Sequence, residues 1–191
     1  MSDDPAAGWD TVADAYEALR SGIGTEQVQR WARDLPPGAD ILDIGCGTGW
    51  PIAAALAAQG FCVFGVDASP RLLAAFRRNL PNAETACEPV QSSGFFQRRF
   101  DAAITIGLLF LLAEAEQIAL IHRLRPALHA GGRFLFTAPR DACTWADTLT
   151  GRPSRSLGLA VYQATLVAAG FEPAGSAIDA GGNHYLAAIA L

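Results

Sequence analysis

Asp43, Gly45, Gly47 and Gly49 stand at alternate positions where an apolar stretch, Ile41-Leu42-Asp43-Ile44, meets a helix beginning near Pro51. A buried strand, a glycine-rich turn and a helix start form the junction at which open α/β sheets hold nucleotide-like ligands. Glycine is the residue that lets a ligand approach the backbone closely there. Asp67 follows Gly47 by about twenty residues and closes the next apolar run, where an acid can accept from both hydroxyls of a ribose. Its alternative use is as N-cap of the helix starting near Pro70, a position that Ser69 can also fill. Dinucleotide enzymes carry G-x-G-x-x-G, with a third glycine where helix and strand pack beside a pyrophosphate. Here that third position is Trp50, too bulky for the role.

These residues need a framework, and the chain supplies an alternating one. Helical spacing runs through 8–34, interrupted at Gly22-Ile23-Gly24, with a second helix at 25–34. Strands are expected at 39–44, 61–66, 83–87, 100–106 and 133–137. Helices are expected at 51–59, from Ser69-Pro70 to Pro81, and at 114–129, where Pro126 shortens or kinks the last. A long polar connection, 139–155, precedes a helix at 156–169. Two strands, 171–178 and 185–190, end the chain through a short turn. Alternation predicts an α/β fold: a Rossmann-like, doubly wound, seven-stranded and mostly parallel sheet with helices on both faces. The last two strands are expected as an antiparallel hairpin at one edge.

The 191 residues, 51% hydrophobic and 17% charged, suit one domain with a full core. Fourteen basic against nineteen acidic residues give a net charge of −5, without the basic stripe of a nucleic-acid binder. No apolar run reaches the roughly 18 residues that cross a bilayer. The acidic start argues against a signal peptide. Cys46, Cys62, Cys87 and Cys143 form no C-x-x-C pair, which points to reduced thiols and a cytoplasmic location. His122 and His129 share a helix without acidic or cysteine partners, so no metal is expected.

The pattern Asp43-x-Gly45-x-Gly47-x-Gly49 resembles motif I of the class I S-adenosylmethionine-dependent methyltransferases, whose sheet is the seven-stranded one above. The resemblance is sharp over 41–52 and follows the element order over nearly the whole chain. It implies S-adenosylmethionine as cofactor, with one domain, 1–191, made of a helical lid segment (1–38) and a Rossmann-like core (39–191). Gly45, Cys46 and Gly47 would offer backbone N–H groups to the cofactor's carboxylate, and Asp43 would face its ammonium. Asp67 and Ala68 would meet the ribose. Glu88 and Pro89 would lie at the adenine, with Glu88 accepting from its amino group, and Ile106 would flank the adenosyl group. Tyr16, on the lid, and Trp50 are aromatic covers or ordinary core residues; near a sulfonium either ring would gain cation–π attraction.

For the acceptor, the connection after the fifth strand and the final turn lie at the carboxyl ends of the strands, where such folds bind ligands. Trp145, Arg152, Asn183 and Tyr185 are the substrate-site candidates, and Asp147 and His184 the candidate bases. Arg152 and Arg155 could bind a carboxylate or sit in water. Leu109-Phe110-Leu111 stands where amino-methylating DNA and protein-glutamine enzymes carry N/D-P-P-Y/F/W, and where many small-molecule relatives carry a histidine. The expected activity is methyl transfer to a small molecule through an O, N, C or S nucleophile. Its rivals are a protein or RNA methyltransferase, a non-catalytic cofactor-binding partner subunit and, more distantly, an NAD-dependent oxidoreductase. The sequence leaves the oligomeric state open.

Overall fold

The computed structural model describes residue 6 and residues 8–191. Helix α1 spans Ala13–Leu19 and α2 spans Thr25–Ala32. The strands β1 (Asp40–Ile44), β2 (Cys62–Asp67), β3 (Glu84–Cys87), β4 (Phe100–Thr105) and β5 (Leu128–Thr137) alternate with α3 (Ile52–Ala58), α4 (Pro70–Asn79) and α5 (Glu114–Leu124). A two-stranded ribbon, β6 (Cys143–Ala146) and β7 (Pro153–Ser156), follows. Helix α6 (Leu159–Ala168) then leads to β8 (Phe171–Ile178) and β9 (His184–Ala190).

Seven strands make one sheet in the order β3-β2-β1-β4-β5-β9-β8, with β1 to β5 parallel and β9 antiparallel to both of its neighbours. This is the expected sheet, and its terminal hairpin does lie at one edge, with β8 outermost. Consecutive strand residues Ile41 and Leu42 are both fully buried, because helices cover both faces. On one face Leu42, Phe64 and Phe134 meet Leu120, Ile121 and Tyr162 from α5 and α6. On the other, Ile41, Val63 and Ile104 meet Val28, Leu56 and Phe76 from α2, α3 and α4.

Local chemistry explains most element ends. Ser69 caps α4, its hydroxyl accepting from the Leu72 amide at 3.1 Å, and Pro70 fills the first turn. Gly60, at φ +89°, follows the end of α3. Pro126 stops α5, and a single 3₁₀ turn, Arg125–Ala127, leads into β5. Several expectations need correction. The first helix is shorter than expected and starts at Ala13. Strand β5 starts at Leu128, before Gly131-Gly132. The stretch 139–155 is no plain connection: β6 and β7 pair within it, from Cys143 opposite Ser156 to Ala146 opposite Pro153. Ser156 therefore ends β7, and α6 begins only at Leu159. Among the described residues, no helix is long and apolar enough to cross a membrane.

Candidate cofactor and acceptor site

The strand order reverses between β1 and β4, and a cavity of about 650 Å³ opens at their carboxyl ends. Its floor is the glycine turn. Gly45, Gly47 and Gly49 all have positive φ, at +70°, +53° and +72°. A side chain at Gly49 would collide with Phe76 and Leu80 at 2.7 Å, so this glycine fits the turn onto α4. Gly45 and Gly47 line the cavity, and a Cβ on Gly47 would lie 3.0 Å from the Tyr16 hydroxyl. A bulkier residue at either position would fill the floor.

Asp67 holds this turn from β2. Its Oδ2 accepts from the Gly47 amide at 2.9 Å and its Oδ1 from the Ser69 amide at 2.8 Å. A carboxylate has about four acceptor positions, so two remain for hydroxyls at the cavity wall. Burial raises the Asp67 carboxyl's pKa, against these backbone hydrogen bonds, which lower it. Asp43 lies buried at the end of β1, and among the described residues its side chain accepts no hydrogen bond. Burial first, then the charge of Asp67, pushes its carboxyl up to about 7, with Arg20 opposing.

The turn's amides are mostly committed. Gly45 and Cys46 donate to the Val66 carbonyl, Gly47 to Asp67, and Gly49 to the Cys46 carbonyl. The backbone anion site expected of Gly45, Cys46 and Gly47 is therefore largely used up inside the protein. Arg20 is the cation beside the turn and, with Arg152, one of two guanidinium groups that line the cavity among the described residues. Its Nε donates to the Trp50 carbonyl at 3.1 Å and its guanidinium lies 5.2 Å from the Tyr16 ring centroid. The sequence offered one signal for it: Arg20 follows Tyr16 by four positions, one turn along the same helical face.

Of the expected cofactor contacts, Tyr16, Gly45, Gly47, Asp67, Ala68, Pro89 and Ile106 line the cavity. Tyr16 is seated edge-on against Trp9, their centroids 5.5 Å apart. The others stand back. Cys46 is buried behind the turn, its thiol beside Gly65. Trp50 is 53% exposed and offers the cavity only the carbonyl that orients Arg20. Glu88 does not line the cavity, and its Oε1 is engaged by the Ser93 hydroxyl. Residues 89–91 form that wall instead, held from outside by Arg123, which donates to the carbonyls of Val90, Gln91 and Ser93.

The acceptor candidates divide in the same way. Asp147 and Arg152, in the turn between β6 and β7, line the cavity. Asp147 Oδ1 accepts from the Leu149 amide and from both the amide and hydroxyl of Thr150, which builds the turn. Trp145 lies behind Phe110, which lines the cavity; their centroids are 5.3 Å apart. Asn183, His184 and Tyr185, expected at the rim, do not line it. Strand β9 sits beyond β5, away from the β1–β4 reversal, and carries them with it. Asn183 and Tyr185 bind Asp179, and His184 is buried with Nδ1 unpartnered. Among the described residues, no group of three or more His, Cys, Asp or Glu could hold a metal ion.

Two covers close the cavity. The segment from residue 8 to Arg20 supplies Trp9, Tyr16 and Arg20; α2, by contrast, is packed into the core. The β6–β7 ribbon supplies Asp147, Leu149 and Arg152.

This sheet order, with its glycine turn and strand-end acids, is the arrangement that the sequence resemblance implied. Residues 41–132, just under half of the chain, match a family described as a methyltransferase domain. An uncharacterized methyltransferase of Synechocystis is 29% identical over 111 residues, covering 58% of this chain and 52% of the relative. The chain thus spans about half the length of the curated relative it matches. Among solved structures, the CcbJ methyltransferase from Streptomyces caelestis superposes with a TM-score of 0.78 at 20% identity, covering 100% of both chains. A DhpI complex with S-adenosylhomocysteine gives 0.74 at 20%, covering 98% of each. The glycopeptide N-methyltransferase MtfA, also complexed with S-adenosylhomocysteine, gives 0.72 at 18%, covering 91% of each. At these identities the likeness establishes a shared fold.

Proposed function

We propose that this protein transfers a methyl group from S-adenosylmethionine to a small-molecule acceptor. The observation that carries the reading is the cavity. Its floor bears ribose-accepting Asp67 and carboxylate-binding Arg20, and two covers limit what can enter. A volume of about 650 Å³ falls in the range of small-ligand sites.

The residues fit the cofactor. Arg20 would hold the carboxylate and Asp67 would accept from the ribose hydroxyls, while Asp43, buried behind the glycine turn and not lining the cavity, would act on the ammonium through its charge alone. The wall at 89–91 and Ile106 flank the adenosyl group. When bound, S-adenosylmethionine supplies an electrophilic methyl carbon, whose bond to sulfur breaks with the electron pair remaining on a neutral thioether. The protein's task is alignment and the exclusion of water, and the covers provide both. Asp147 is the proposed base: Oδ1 is spent on the turn, while Oδ2 is left to take the acceptor's proton as its lone pair bonds to carbon. His184 drops out of this role, since it does not line the cavity. The scattered cysteines support a cytoplasmic setting.

The test is incubation with methyl-labelled S-adenosylmethionine and separate small-molecule, protein and RNA fractions. Label is expected in the small-molecule fraction. Label confined to protein or RNA, or appearing only when a second chain is added, would contradict the proposal.

A further inference from the structure

Among the described residues two guanidinium groups reach the cavity, one from each cover, and S-adenosylmethionine has only one carboxylate. Arg20 is oriented toward the glycine turn by its bond to the Trp50 carbonyl, so it accounts for that carboxylate. Arg152 belongs to the ribbon. Its guanidinium makes no hydrogen bond and no ion pair among the described residues. Arg155, three positions on, is already paired with Glu114 at 3.6 Å and does not line the cavity. Near Arg152 the lining includes Leu149 and Phe110, the latter with the Trp145 ring behind it, together with the carboxylates of Asp147 and Glu116.

We propose that the acceptor is a small aromatic carboxylate whose anion pairs with Arg152 and whose ring packs on Phe110 and Leu149. The assignment rests on the methyl-transfer reading above. A cationic acceptor would meet like charge at Arg152. A neutral one would leave the guanidinium, which stays exposed, without a charged partner where the covers meet. They do meet there: a Cβ at Gly8 would lie 3.7 Å from Arg152 Nε. A carboxylate answers the planar fork with two parallel hydrogen bonds, which fixes the ring's direction as well as its position. With the anion held at the ribbon, a hydroxyl or amine elsewhere on the ring is directed inward, toward the methyl donor.

The experiment uses protein saturated with S-adenosylhomocysteine and matched probes: 4-hydroxybenzoate and 4-aminobenzoate, each beside its methyl ester, with tyramine as a cationic control. Saturation-transfer NMR gives relative affinities. The acids are expected to bind about tenfold or more tightly than their esters. Arg152→Gln should reduce them to the ester level and Arg152→Lys should recover part of the loss, while affinity for S-adenosylhomocysteine stays unchanged in both. Equal binding of acid and ester, including binding of neither, overturns the proposal. So does a preference for tyramine, or a loss of S-adenosylhomocysteine affinity in Arg152→Gln. If the wild-type protein does not bind S-adenosylhomocysteine, the methyl-transfer reading itself falls and this proposal with it.

Discussion

The two covers over one cavity are fastened by opposite means. The N-terminal segment is held by charge at the surface. Asp10 accepts from the Ser69 hydroxyl at 2.7 Å and from the Arg71 amide at 3.0 Å, while Arg71 grips Asp14 at 2.8 Å and Arg78 reaches Glu17 at 3.5 Å. The β6–β7 ribbon carries one exposed ion pair, Arg155–Glu114, and is held chiefly by neutral hydrogen bonds in the interior. Gln117, fully buried, donates to the carbonyls of Leu112 and Arg155 and accepts from the Tyr162 hydroxyl at 2.7 Å. The Ser156 hydroxyl adds a bond to the Pro139 carbonyl. Exposed ion pairs are weak and screened by salt, whereas breaking a buried network strands polar groups away from water. On this contrast the N-terminal segment is expected to open more readily than the ribbon, as the proposed exchange of cofactor beside an acceptor pocket requires.

The sharpest break in this contrast is Gln117→Leu. It strands the Tyr162 hydroxyl and two carbonyls, so a loss of about 2–4 kcal/mol is expected in denaturant unfolding, with faster hydrogen exchange in the ribbon. Unchanged stability would mean the ribbon is held otherwise. Asp67→Ala acts on the floor beneath both covers. It frees the Gly47 amide and removes the proposed ribose acceptor, and calorimetry should show cofactor affinity weaker by about 1–3 kcal/mol. Asp10→Ala should cost about 1 kcal/mol of closure, read as about a fivefold rise in KM for S-adenosylmethionine with kcat retained. Raising salt from about 0.05 to about 0.5 M should mimic it in the wild type and leave ribbon exchange unmoved. Equal salt sensitivity of both covers would erase the distinction.

Asp43 gives the smallest effect, and its sign is definite. Its carboxyl, raised to about 7, keeps a proton that the unfolded chain releases above about 4. Its contribution to stability is full below about 4 and is lost as pH rises through about 7. A bound ammonium favours the carboxylate, so cofactor binding between these values should release protons, and affinity should climb with pH. Calorimetry in buffers of different ionisation enthalpy measures the release, which Asp43→Asn should largely remove.

What the sequence revealed was what chemistry makes local. The glycine turn, the Ser69-Pro70 helix start and the strands buried on both faces carry their signals within a few residues. The ribbon was hidden because β6 is almost wholly exposed and shows no apolar alternation, although Asp147 and Gly151 (φ +67°) mark its turn. The expectation for Asn183, His184 and Tyr185 missed because spacing along the chain does not say how far a hairpin lies from the β1–β4 reversal. The commitment of the turn's amides to Val66 and Asp67 is likewise a tertiary fact. It leaves Arg20, outside the motif, for the anion-binding role proposed above.

The most direct test is calorimetric titration of the purified protein with S-adenosylhomocysteine and, separately, with NAD, repeated with Arg20→Gln. Binding of S-adenosylhomocysteine at one site, no binding of NAD, and an affinity loss of about tenfold or more in Arg20→Gln are the expected results. Binding of NAD without S-adenosylhomocysteine would contradict the account at its root.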